Sequence, residues 1–341
     1  MTAREKEKEA LYWRVLKGDA LQCTLCPHWC TILEGRRGRC RVRENRRGRL
    51  YSLVYGKPSA IQIDPIEKKP NFHFLPGSLS YSIGTVGCNL RCAFCQNWQL
   101  SQASPGDLPH YDLPPQAVVD EALRYGCASI AYTYNDPVVF IEYVMDTARL
   151  ARPRGLRSVF VTAGFINPQP LDELCGLIDS AHVDLKGFSE QFYREVSGAR
   201  LAPVLATLKT LKKRGIWFEV IHLTVPGLSD DPDEIRMMCE WMRENIGTEV
   251  PLHFTQFHPE YKMLTTPVTP VASLERAHAI AKDVGLEYVY VGNVPGHPLE
   301  NTYCPKCNNL LIERWGFEIL KNLIPEGMCP YCGKKLAGVW R

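Results

Sequence analysis

Long apolar runs are missing from this chain. No stretch approaches the roughly 20 residues that cross a bilayer. The opening MTAREKEKEALYWRVLKG is charged where a secretory signal needs an apolar centre. The expectation is a cytoplasmic protein with no membrane segment. Internal repeats and low-complexity tracts are also absent, which excludes solenoid and fibrous architectures. Charge of one sign is scarce, with 40 Lys and Arg against 37 Asp and Glu and a net charge of +3. That balance is uneven: residues 1–49 hold 13 basic against 6 acidic side chains, and the remainder holds 27 against 31. A basic head can meet nucleic acid or an acidic protein surface, or it can be a solvated face around a metal knuckle. It lacks the interleaved aromatics of a base-stacking surface, which argues against a nucleic-acid partner without removing it.

Cysteine, by contrast, is plentiful. Fourteen of the 341 residues are cysteine, and in a cytosolic chain such a number points to metals rather than disulfides. Eleven fall into three sets: Cys23, Cys26, Cys30 and Cys40; Cys88, Cys92 and Cys95; Cys304, Cys307, Cys329 and Cys332. Cys127, Cys175 and Cys239 stand alone beside apolar segments and read as small core residues.

With 45% hydrophobic and 23% charged residues the chain has the makings of a buried core. Short β-rich runs alternate with amphipathic stretches: YSIGTV (81–86), SIAYTY (129–134), SVFVTA (158–163), HVDLK (182–186), WFEVIHLTV (217–225), PLHFTQF (251–257) and YVYVGN (288–293). Helical patterns lie between them at 115–125, 138–150, 201–214, 233–244 and 271–284. Such alternation predicts a parallel sheet with crossover helices, and so many units predict a partial barrel of the (βα)6 type. This α/β core is expected over residues 75–298. Two small cysteine-rich, metal-binding appendages flank it, one at 1–50 and one at 299–341. The joints DPIEKKPNFHFLPGS (64–78) and PGHPLEN (295–301) are rich in proline and glycine.

Polar residues cluster at the carboxyl ends of the predicted strands, where barrels keep their chemistry. The first of these ends is GCNLRCAFCQNWQ (87–99), with cysteines at x3 and x2 spacing and no fourth nearby. Iron–sulfur cubanes normally take four thiolates, so three leave one iron without a protein ligand. A position kept open is the mark of a catalytic rather than a structural metal. The competing interpretation is a zinc knuckle whose fourth ligand comes from elsewhere, such as His73 or His110.

C-x3-C-x2-C after the first strand of a β/α barrel, with the aromatic Phe94 before the third cysteine, resembles the signature of the radical S-adenosylmethionine (radical SAM) superfamily. The resemblance implies a [4Fe–4S] cluster on Cys88, Cys92 and Cys95, S-adenosylmethionine chelated by the open iron, and reductive cleavage to a 5′-deoxyadenosyl radical that abstracts hydrogen. YTYNDP (132–137) stands where many members carry Gly-Gly-Glu, so Tyr134, Asn135 and Asp136 become the matching cofactor-binding candidates. Asn and Asp before Pro137 would equally serve as a helix cap. HVDLKG (182–187) resembles a segment of pyruvate formate-lyase activating enzymes that sits beside the cofactor, which makes Asp184 and Lys186 candidates. A charged pair at the end of a buried strand is costly unless it is used or mutually paired. VIHLTVPG (220–227) adds His222, which could instead be a satisfied core histidine, and VTAG (161–164) adds Thr162. The residues that would carry the substrate chemistry itself remain unassigned.

CPKC and CPYC, at 304–307 and 329–332, read as a zinc ribbon; a single-iron relay is the alternative. CTLCPHWCTILEGRRGRC (23–40) carries a four-thiolate set that suits zinc or a second [4Fe–4S] cluster, with His28 able to replace one thiolate. The N-terminal segment, DPIEKKPNFHFLPGS, CQNWQLSQ and YTYNDP together are similar to the radical SAM member of the AmmeMemoRadiSam set. That resemblance implies Memo-like and AMMECR-like partners and an electron donor such as flavodoxin or ferredoxin. The leading expectation is hydrogen abstraction from a protein or small molecule. Activation of a glycyl-radical enzyme, RNA modification and a non-catalytic zinc-ribbon adaptor are the competing readings.

Overall fold

Six times along the chain a buried strand is followed by an amphipathic helix that returns the chain to the start of the next strand. The computed structural model describes residues 8–341. Residues 1–7, part of the charged opening and of the basic head, lie outside the described residues. The strands are β1 (Ala60–Pro65), β2 (Leu79–Gly84), β3 (Ser129–Tyr132), β4 (Arg157–Thr162), β5 (Ser180–Asp184), β6 (Trp217–Thr224), β7 (Leu252–Gln256) and β8 (Val289–Gly292). The crossover helices are α1 (Pro115–Arg124), α2 (Ile141–Ala151), α3 (Pro168–Cys175), α4 (Leu201–Lys213), α5 (Pro232–Asn245) and α6 (Val271–Val284). Strands β2 to β8 are parallel and lie side by side in chain order, while β1 pairs antiparallel with β2 at the edge. Among the described residues no ladder joins β1 to β8. The sheet is therefore an open arc of a barrel.

Local chemistry explains these elements. The strands are buried on both faces, with Ile130, Val159, Ala181, Val183, Val220, Phe254 and Val291 fully inside, as parallel sheets covered by helices require. In α5 the Asp231 carboxylate accepts the amides of Asp233 and Glu234, and Pro232 occupies the first turn. The helix then buries Ile235, Met238, Cys239 and Met242, spaced to form one face. Cys127, Cys175 and Cys239 are all packed in the core.

The N-terminal segment forms two three-stranded antiparallel sheets. Its Leu21, Leu25, Ile32, Val42 and Leu50 belong to the same apolar core as the barrel. Arg43, fully buried, donates to the buried Glu142 of α2 at 2.6 Å. At the other end, Thr302–Tyr303, Leu310–Trp315 and Glu318–Asn322 form an antiparallel sheet. Ile312, Ile324 and Leu336 pack there against Phe72, Tyr288 and Tyr290. Cys304, Cys307, Cys329 and Cys332 bring their sulfurs within 4.8 Å of one another. No helix among the described residues is long and apolar enough to cross a membrane.

One buried carboxylate ties the 64–78 joint to the sheet. Glu219 on β6 accepts the amides of His73 (2.7 Å) and Phe72 (3.0 Å) and lies 2.7 Å from His253 Nε2. His73 then joins the joint to the C-terminal appendage: Nδ1 lies 2.7 Å from the Ala337 carbonyl and Nε2 lies 2.5 Å from the Tyr290 hydroxyl. A neutral ring satisfies both contacts, donating from Nδ1 and accepting at Nε2. Burial accordingly pushes the His73 pKa down to about 4. The unfolded chain thus takes up a proton near pH 6.5 that the folded chain refuses until about pH 4. Stability should be full above pH 6.5 and fall as the pH drops through that window, by about 3 kcal/mol from this residue. Urea titrations of wild type and His73→Gln between pH 7 and 4 check this; the variant should have a flatter profile.

Candidate functional site at the strand carboxyl ends

The chain leaves β2 at Gly84 and enters the three-cysteine loop through Thr85, Val86 and Gly87. Backbone bonds fix this loop from several sides: Gly87 N–H to Leu100, Arg91 N–H to Ser197, Ala93 N–H to Val196, and Lys262 N–H to Ala93. Gly87 has φ +83°, and a Cβ there would lie 2.5 Å from the Cys40 carbonyl oxygen, so only glycine fits. Cys88 Sγ accepts the Leu90 amide at 3.4 Å, and Cys95 Sγ lies 3.3 Å from the Ser101 hydroxyl. The three sulfurs are not drawn into the close group that the C-terminal four form. His73 spends both ring nitrogens elsewhere and His110 is exposed.

Of the residues singled out from the sequence, Asn135, Asp136 and Thr162 form a scaffold under the loop. Asn135 Nδ2 donates to the Gly87 carbonyl (2.6 Å) and to Thr85 Oγ1 (3.2 Å), while its Oδ1 accepts the Thr85 amide. Asp136 caps the short helix Pro137–Phe140 by accepting Val138 N–H. It also accepts the Thr162 hydroxyl (2.9 Å) and the Ala163 amide (3.0 Å). Burial raises the Asp136 pKa to about 6 against the pull of these donors.

Tyr134, Asp184 and Lys186 instead face a cleft of about 1270 Å³, counting its open mouth, whose wall also includes Cys92, Cys95 and Phe317. Tyr134 takes up a left-handed backbone (φ +72°) and donates its hydroxyl to Asp64 at 2.8 Å. Lys186 Nζ lies 2.9 Å from one Asp184 oxygen, and His182 Nε2 lies 2.9 Å from the other. Burial would raise the Asp184 pKa, but Lys186 and His182 outweigh it and hold the carboxyl well below the usual range. Burial likewise opposes the charge on Lys186, and Asp184 prevails, raising its pKa. The pair is therefore ionised and carries no net charge into the cleft. His222 lies outside the cleft wall. It is buried, with its ring nitrogens 3.0 Å from the Leu185 carbonyl and 2.8 Å from the Ser229 carbonyl.

The cleft also holds residues that sequence reasoning passed over. His182 precedes Asp184 by two residues on one strand, a period-two signal that was available. Lys69, from the joint, donates to Asp64 at 2.5 Å and lies over the Tyr134 ring. Phe317 comes from the distant C-terminal hairpin, and nothing local in the sequence points to it.

The donor set fits an iron–sulfur cluster with one open position. Three thiols stand on a fixed loop, two of them facing a cleft whose polar groups match an ammonium, a carboxylate and hydroxyls. Comparisons agree. The radical SAM superfamily model matches residues 82–242. An uncharacterized protein of Methanocaldococcus jannaschii is 44% identical over 331 residues, covering 96% of this chain and 98% of its own. The pyruvate formate-lyase 1-activating enzyme of Escherichia coli K12 is 22% identical over 218 residues, covering 60% of this chain and 89% of its own. Streptococcus suis SuiB bound to S-adenosylmethionine superposes with a TM-score of 0.49 at 14% identity, over 67% of this chain and 53% of SuiB.

Removing the Asn135 amide should loosen the loop while sparing the barrel. Asn135→Ala is expected to cost about 1–3 kcal/mol, because it orphans buried backbone groups. Anaerobic reconstitution should then give a lower iron content with an unchanged far-ultraviolet circular dichroism spectrum.

Proposed function

Because this chain belongs to the radical SAM superfamily, we propose that Cys88, Cys92 and Cys95 hold a [4Fe–4S] cluster and that S-adenosylmethionine occupies the cleft beside it. Once reduced, that cluster supplies the electron that splits the cofactor into methionine and a 5′-deoxyadenosyl radical, which takes a hydrogen atom from the substrate. The observation that carries this reading is the Asp184–Lys186 pair facing the same space as Cys92 and Cys95. An ionised acid and base side by side can engage the ammonium, carboxylate and ribose hydroxyls of the cofactor while adding no net buried charge. Tyr134 and Lys69, both bonded to Asp64, close the side nearest the joint and limit water.

The substrate would sit in a second hollow of about 770 Å³, counting its open mouth, that shares Pro70, Thr255, Asn293 and Phe317 with the cleft. Phe72 and Trp315 give it an apolar wall, and His253 and Glu67 supply its polar groups. Its size suits a small molecule or the side chain of a protein segment. Relatedness to pyruvate formate-lyase activating enzymes favours a protein hydrogen donor, with activation of a glycyl-radical enzyme as one form of it. For the C-terminal quartet we assign structural zinc, since the Cys304–Cys332 and Cys307–Cys329 sulfurs lie 3.6 and 3.7 Å apart. That spacing matches a tetrahedron of Zn–S bonds of about 2.3 Å. Memo-like and AMMECR-like partners and a flavodoxin or ferredoxin donor belong to the same proposal, and rest on the sequence runs alone.

Two variants test it. Cys92→Ala should abolish release of 5′-deoxyadenosine from S-adenosylmethionine under reducing anaerobic conditions and leave the protein folded; full cleavage by that variant would sink the assignment. Asp184→Asn should weaken S-adenosylmethionine binding by about 10- to 100-fold, the worth of one charge-assisted bond, with the cluster absorbance unchanged. Unaltered affinity with lowered stability would make the pair a structural salt bridge.

A further inference from the structure

The N-terminal quartet differs from the C-terminal one in its geometry. A single zinc ion with bonds of about 2.3 Å brings its four sulfurs to about 3.8 Å from one another. The C-terminal sulfurs meet that spacing. Among the described residues, Cys23, Cys26, Cys30 and Cys40 do not come within 4.8 Å as a group, and neither do Cys88, Cys92 and Cys95. The four N-terminal cysteines instead line one small pocket together with Arg43 and Asn89. Cubanes spread their thiolates over four iron corners, so they call for a wider arrangement than a single zinc ion does.

The cavity is built for an anion. The Arg39 N–H points to Cys30 Sγ at 3.5 Å. Arg43, only 1% exposed, lines the cavity as well. Its Nη2 is used by Glu142 and the Leu11 carbonyl, but Nε and Nη1 have no partner. A buried guanidinium with two unpartnered nitrogens next to four thiols is costly unless something accepts their N–H groups, and cluster sulfides or thiolates are acceptors.

The same residues touch the three-cysteine loop. The Cys40 carbonyl abuts Gly87, the neighbour of Cys88. His28 Nε2 lies 2.7 Å from the carbonyl of Asn89, the residue on the other side of Cys88, and Asn89 itself lines the cavity.

We propose that Cys23, Cys26, Cys30 and Cys40 hold a second [4Fe–4S] cluster, whose role is to take one electron from an external low-potential protein donor and hand it to the site at Cys88, Cys92 and Cys95. One electron enters and one leaves, so the N-terminal site returns to its oxidised state. The transfer, though not the second site, rests on the function proposed above.

The full chain with Cys88, Cys92 and Cys95 all changed to Ala isolates the N-terminal site. After anaerobic reconstitution, wild type should carry about eight irons and the variant about four, with matching sulfide and one zinc in each. The variant, reduced with dithionite, should still give a [4Fe–4S] electron paramagnetic resonance signal. A variant holding two zinc ions and no iron would overturn the proposal and leave the three-cysteine assignment intact. If the triple variant kept all the iron of wild type, the three-cysteine assignment would be the one to fail. Cys26→Ala/Cys30→Ala provides the complement: it should lose about half the iron. With reduced ferredoxin its remaining signal should then appear at least 10-fold more slowly than in wild type, yet reach full amplitude with dithionite. An unchanged iron content would overturn the site, and an unchanged rate would overturn the transfer.

Discussion

Three thiolates can leave a metal position open only if the backbone that carries them is held from outside the metal. A four-ligand site is braced by its own coordination; a three-ligand loop must borrow rigidity. Here the bracing comes from every side. Asn135 grips Thr85 and Gly87, the turn at Tyr193–Ser197 receives the amides of Arg91 and Ala93, Lys262 bonds the Ala93 carbonyl, and the Cys40 carbonyl presses on Gly87. These contacts come from residues spread over more than half the chain. The barrel, the N-terminal sheets and the 258–263 loop thus converge on one short segment. Buried polar groups in such a convergence are either all satisfied or expensive, which is why an amide and a carboxylate stand under the loop.

Much of this was legible in the sequence, and what was missed has physical causes. All seven parallel strands were visible as apolar runs, because burial on both faces leaves little room for polar residues. β1 was not seen: Ile61, Gln62, Ile63 and Asp64 alternate, but the strand lies at an edge and its faces are mostly partly exposed. α3 escaped notice because it opens on Pro168-Gln-Pro170, a sequence that reads as a turn and here starts a helix. In the cleft, Cys92, Cys95, Tyr134, Asp184 and Lys186 were legible, since each stands at or beyond the end of a recognisable strand. Asn135 and Asp136 were noticed, but the loop and turn amides they hold could not be read from spacing. Lys69 and Phe317 reach the cleft through a proline-rich joint and a C-terminal hairpin, and no periodicity predicts where such segments land.

The two appendages are attached by different physics. The N-terminal segment shares the main apolar core and adds one buried ion pair, Arg43 with Glu142. The C-terminal segment keeps a smaller core of its own. It meets the sheet through polar links: His73 with the Ala337 carbonyl, Arg314 with the Phe72 carbonyl, and the Tyr290 hydroxyl with Thr302. Apolar burial is non-directional, whereas hydrogen bonds fix an angle and a register. The polar attachment orients the hairpin that carries Trp315 and Phe317 over the cleft.

That hairpin is held differently from the floor beneath it. The polar groups Asp184 and Lys186 that face the cleft are fixed to a strand end, where a substitution disturbs the sheet. The Trp315–Phe317 tip is held by its own small sheet, and both rings are largely exposed where they line the second hollow. A few residues of this terminal hairpin can therefore be redrawn, and the rim of the hollow reshaped, while the strand-end groups beneath keep their places.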